Sequence, residues 1–198
     1  MIIYIHGFGS SGVSSKANIL KEKLKEFDDL IAPSLSYIPE LAIDTLKQLI
    51  SSYKKYENVY LIGTSLGGYY ATYLAEYFNI PAILINPAIN PTETLRKQTL
   101  LGRINHYDNS RFTWGLNYLE QLKQYETNNM NNDNYMLLVQ KGDRVLDYKE
   151  AVDKLKKSFT IIEEGGTHRF ENIENHIESM IDFFINSENV KKCKSHNI

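Results

Sequence analysis

Residues Gly63-Thr64-Ser65-Leu66-Gly67 put a serine between two glycines at a point where the hydropathy pattern changes period. Upstream, Asn58 to Ile62 reads as a short buried strand; downstream, Leu66 to Phe78 carries apolar residues at helical spacing. A serine at a sharp strand-to-helix turn is pushed toward positive φ, and the crowding requires neighbours without side chains two before and two after it, as Gly63 and Gly67 are. The following helix would aim unpaired N–H groups and its positive dipole end at the hydroxyl. Such a turn suits acyl transfer through a nucleophilic serine. The pattern alone, with three fixed positions, is also compatible with an ordinary helix entry, so its meaning depends on the partners the chain supplies.

A base is offered by Gly165-Gly166-Thr167-His168, where a turn signal after an apolar run brings a histidine just ahead of the last helical pattern. His168 is the expected general base. Its imidazole needs a carboxylate, and two compete in the segment Gly142-Asp143-Arg144-Val145-Leu146-Asp147. Asp147, with Glu150 three residues on, reads as a helix N-cap, which leaves Asp143 as the expected acid. An oxyanion would take one N–H from Leu66 and one from Phe8, in the glycine-bearing His6-Gly7-Phe8-Gly9-Ser10-Ser11 loop that ends the first strand. His6 is expected to hold that loop rather than act as a base. His106, His176 and His196 show no spacing with Asp, Glu or Cys that suggests a ligand set, and no metal is expected.

These residues need a scaffold that gathers distant loops at one edge. Short apolar runs at 2–6, 30–33, 58–62, 82–86, 135–140 and 159–163 alternate with amphipathic stretches, the signature of a parallel α/β sheet with helices on both faces. Helical spacing is read at Ile19 to Phe27, Ala42 to Tyr53, Leu66 to Phe78 and Ile173 to Phe184. Residues 88–134 exceed a simple crossover and are expected to form a small cap, with a helix over Thr113 to Tyr125 and an Asn-rich flexible loop over Thr127 to Asn134. Residues 1–186 are expected to form one domain and 187–198 a flexible polar tail.

The chain has 198 residues, 42% hydrophobic and 23% charged, enough to bury a core, and its formal net charge of −2 with scattered lysines argues against a nucleic-acid partner. The single cysteine, Cys193, excludes a disulfide framework, and no leader or membrane-spanning run is read, so a cytoplasmic location is expected.

Taken together the chain resembles the small bacterial α/β-hydrolase-fold esterases of the YqiA type. The resemblance rests on His6-Gly7-Phe8 with Lys16-Ala17, Ser65 through Thr72, Asn86-Pro87-Ala88, Gly142-Asp143 with Val145 through Tyr148, and Glu164-Gly165-Gly166 with His168 and Phe170. It implies a triad of Ser65, Asp143 and His168, no cofactor, and a small-molecule acyl ester as substrate, with acyl thioesters such as acyl-CoA as a second class. The chain departs from that pattern at Thr167 and Arg169 and in the cap. A non-catalytic acyl-binding module, or a peptidase or carbon–carbon hydrolase on the same fold, are the alternative expectations.

Overall fold

The protein is described by a computed structural model that covers residues 1–195 apart from 98, 100, 101, 106–108 and 129. A six-stranded, all-parallel sheet has the order β2-β1-β3-β4-β7-β8, with β1 at Ile2–Ile5, β2 at Leu30–Ile31, β3 at Tyr60–Thr64, β4 at Ala82–Ile85, β7 at Tyr135–Gln140 and β8 at Phe159–Glu163. Strands β1, β3, β4 and β7 are buried along their whole length, which is why they read as continuous apolar runs rather than as alternation. The period of two reappears in which face each side chain joins. Ile3, Ile5, Leu61, Leu84 and Leu137 point to one core, with α2 (Pro39–Tyr53) and α3 (Leu66–Phe78). Ile2, Tyr4, Ile62, Ile83 and Leu138 point to the other, with α1 (Ser15–Leu24) and α7 (Ile177–Ser195).

Four expectations need correction. Ile19 faces solvent; α1 instead buries Ala17, Leu20 and Leu24. The helix expected from Thr113 begins at Leu116, as α5 (Leu116–Lys123), because Arg111–Thr113 forms β6, antiparallel to β5 (Gly102–Ile104). Backbone pairing and burial of Phe112 outweigh local propensity there. The helix α7 continues to Ser195, past the Ser187 boundary of the expected tail, since propagating a formed helix costs little even without an apolar stripe. The Asn-rich stretch is anchored rather than loose: the Asn131 N–H donates to Glu76 Oε1 at 2.8 Å, and buried Asn134 donates to Asn79 Oδ1 at 3.1 Å. The short helix α4 (Pro91–Arg96), the β5–β6 hairpin and α5 together cover the carboxyl edge of the sheet between β4 and β7. Tyr69 on α3 fastens this cap by donating to the Leu122 carbonyl at 2.7 Å.

Candidate active site

Ser65 lies directly between β3 and α3 with φ 55° and ψ −122°. Holding a non-glycine residue there costs about 1–3 kcal/mol, which local hydrogen bonds offset. The Ser65 N–H donates to the Ile85 carbonyl at 3.1 Å, and the Ser65 carbonyl accepts from Gly68 at 2.9 Å and Ala88 at 3.0 Å. The flanking glycines are required by approach. A Cβ on Gly63 would meet the Gly67 carbonyl oxygen at 2.4 Å, and one on Gly67 would meet that of Ile5 at 2.0 Å.

His168 reaches the serine from the loop after β8. Its Nε2 is 3.1 Å from Ser65 Oγ, and its Nδ1 is 2.7 Å from Asp143 Oδ2. The Asp143 side chain is only 2% exposed, against 28% for His168. Burial alone would raise its carboxyl pKa, but the His168 hydrogen bond and the N–H groups of Leu146 (3.0 Å) and Val145 (2.7 Å) outweigh it and hold the group below the usual carboxylate range. An ionised Asp143 can only accept, so Nδ1 carries the proton and Nε2 is left as acceptor for the serine hydroxyl. Asp147 instead caps α6 (Tyr148–Lys154), accepting from the Lys149 N–H at 3.0 Å. The structure therefore brings Ser65, His168 and Asp143 into one hydrogen-bonded chain and leaves Asp147 outside it.

Phe8 and Leu66 line the same cavity as Ser65 and His168, a space of about 240 Å³. Leu66 opens α3, so its N–H has no acceptor within the helix. The loop carrying Phe8 presses on the serine: a Cβ on Gly7 would lie 3.1 Å from Ser65 Cβ. His6 holds that loop, donating from Nδ1 to the Gly7 carbonyl and accepting the Leu35 N–H at Nε2, both at 2.9 Å. Burial pushes its imidazole pKa down, in keeping with a neutral ring. His176 pairs with Glu163 at 2.9 Å behind the site; His106 and His196 lie outside the described residues. Among the described residues, no three His, Cys, Asp or Glu side chains are grouped to hold a metal ion.

Two residues to which sequence reasoning assigned no role position His168. Gln140, at the end of β7 and 2% exposed, accepts the Thr167 N–H at 3.1 Å and the Glu171 N–H at 2.9 Å through Oε1. Its Nε2 donates to Glu163 at 2.7 Å and to the Glu171 carbonyl at 2.9 Å, so all four of its hydrogen-bonding positions are used. Gly166 lets it approach: a Cβ there would meet Gln140 Oε1 at 2.1 Å. Asn86, at φ 40°, donates to the Thr167 carbonyl at 3.0 Å and accepts the Gln140 N–H at 3.0 Å. The signal was present as a polar residue closing an otherwise apolar strand, in Ala-Ile-Leu-Ile-Asn and Tyr-Met-Leu-Leu-Val-Gln.

The sheet order, the serine turn and the cap insertion define an α/β-hydrolase fold. Solved structures agree: Est1E from Butyrivibrio proteoclasticus, in a form with ferulic acid bound, superposes with TM-score 0.71 at 17% identity over 95% of this chain and 89% of that one. A monoacylglycerol lipase from Paleococcus ferrophilus gives TM-score 0.63 at 17% identity over 94% of each chain. Residues 1–185 match the model of the Uncharacterised protein family (UPF0227), to which this chain belongs. Among its relatives, the UPF0227 protein YcfP of Escherichia coli is 24% identical over 190 residues, 92% of this chain and 98% of that protein. The UPF0227 protein VP0969 of Vibrio parahaemolyticus is 23% identical over 187 residues, again 92% and 98%. The expected YqiA-type resemblance falls within this family. Among the described residues no helix is long and apolar enough to cross a membrane.

Proposed function

We propose that this protein is a serine hydrolase of carboxylic esters, with acyl thioesters as a second substrate class. The observation that carries the proposal is the chain from Ser65 Oγ to His168 Nε2 (3.1 Å) and from His168 Nδ1 to Asp143 Oδ2 (2.7 Å). Ser65 Oγ attacks the acyl carbonyl while Nε2 takes its proton; Asp143 keeps the imidazole in the required tautomer and stabilises the imidazolium. The N–H groups of Phe8 and Leu66 donate to the tetrahedral oxyanion, helped by the α3 dipole. The imidazolium then protonates the leaving alcohol or thiol, and water activated by His168 releases the acid and restores the serine. Every proton is carried by these residues, and the cycle uses no cofactor. Est1E and the lipase, by their names, lend the ester class further support.

A fluorophosphonate probe tests the proposal, since it phosphonylates only an activated serine. The wild-type protein is expected to be labelled and Ser65→Ala to be unlabelled, with ester hydrolysis reduced on the order of 10⁶-fold in kcat. An unlabelled wild-type protein would sink the proposal. A matched panel of esters and thioesters then ranks the two substrate classes.

A further inference from the structure

The β5–β6 hairpin has an alternating pattern with one residue out of place. Gly102, Ile104, Arg111 and Thr113 are exposed, and the inward positions are Arg103 and Phe112, which face each other across the ladder. Binary patterning predicts two apolar residues there, as Phe112 is, and not a guanidinium. Phe112 packs edge-on against Phe8 at 5.6 Å, and Arg103 lines the cavity that holds Ser65 and His168. Among the described residues, Arg103 Nε is buried without a hydrogen-bond partner and the guanidinium makes no ion pair. Among the described residues no aspartate or glutamate lines the cavity beside it. A desolvated, unpaired donor is costly, so packing alone does not account for an arginine at this inward position.

We infer that Arg103 selects esters that carry a second group, a carboxylate, bound within the same cavity. The inference rests on the ester-hydrolase reading above. The guanidinium fork matches a carboxylate in two parallel hydrogen bonds. One guanidinium, the only Arg or Lys among the described lining residues, suits one negative charge better than a phosphate dianion. Because carbonyl and carboxylate share about 240 Å³, only a short chain separates them.

Two matched pairs of substrates test this and tell which side of the ester bears the charge. On the acyl side, the 4-nitrophenyl half ester of adipic acid is compared with its methyl-capped neutral counterpart. On the alcohol side, 4-carboxyphenyl butyrate is compared with its methyl ester. The wild-type protein is expected to favour the charged member of one pair by roughly ten- to hundredfold in kcat/KM, and Arg103→Gln to bring that ratio close to one. Arg103→Lys keeps the charge without the fork and should give an intermediate ratio. Arg111→Gln, on the outward face, should leave the ratio unchanged. Preference for the neutral member in both pairs, or a ratio that survives Arg103→Gln, overturns the inference. Calorimetric binding of monomethyl against dimethyl adipate to Ser65→Ala reads recognition without turnover, and so separates a failure here from a failure of the hydrolase reading. Equal binding of the two adipates, combined with no charged preference in the butyrate pair, also overturns it.

Discussion

At the scale of single residues, two aspartates four positions apart have different surroundings and therefore different predicted effects. Asp143 is a buried carboxylate fixed by His168 and two backbone N–H groups; Asp147 is an exposed cap. Asp143→Asn should lower kcat on the order of 10⁴-fold by disturbing the imidazole tautomer, while Asp147→Asn should keep activity and lower stability by no more than about 1 kcal/mol. Steady-state kinetics and thermal melting read the two effects, and the reverse pattern would reassign the acid. The identities and chain order of Ser65, Asp143 and His168 were legible because each sits in a local signal of turn glycines or helix punctuation. Gln140 and Asn86 were not, because a buried amide gains its meaning from loops that only the fold brings to it. Gln140→Leu would leave the Thr167 and Glu171 N–H groups without acceptors. A loss of about 2 kcal/mol or more is expected, with a drop in kcat as the His168 loop shifts.

At the scale of elements, the four central strands β1, β3, β4 and β7 were readable in the sequence because burial on both faces produces unbroken apolar runs. The hairpin in the cap was not, since β5 and β6 have three residues each and are held by pairing and by Phe112 rather than by propensity. The turn at Ser65 depends on backbone contact between elements. Gly67→Ala would force its Cβ into the Ile5 carbonyl, where neither backbone can yield. A cost near the upper end of overpacking effects, about 3 kcal/mol, is expected in denaturant melts, together with loss of fluorophosphonate labelling.

At the scale of the whole molecule, the site spans loops after β1, β3, β4, β7 and β8, so its integrity tracks global stability. His6 links that stability to pH. Burial holds its pKa below the ordinary histidine value, so the unfolded chain takes up a proton first as the pH falls. Stability should therefore be intact above about pH 6.5 and decline below it, until the folded-state pKa is passed. Asp143 acts in a separate window: its contribution is present above the usual aspartate pKa and is lost only as the pH falls through its lower folded value. Melting temperatures between pH 7.5 and 5 should fall for the wild-type protein and fall less for His6→Gln.

The ring of Phe8 meets Phe112 at 5.6 Å and Trp114 at 4.8 Å, both edge-on, while its own N–H is one of the two donors proposed for the oxyanion. An aromatic hinge thus joins the roof over the substrate to the group that would stabilise the reaction's charge, and what the roof accepts sets where that donor stands. Substrate choice and turnover should then resist separate tuning. Trp114→Phe removes an indole N–H with no partner among the described residues but leaves a gap in a fully buried site, so a loss of about 1–2 kcal/mol is expected in thermal melts, and a several-fold change in kcat as well as in KM.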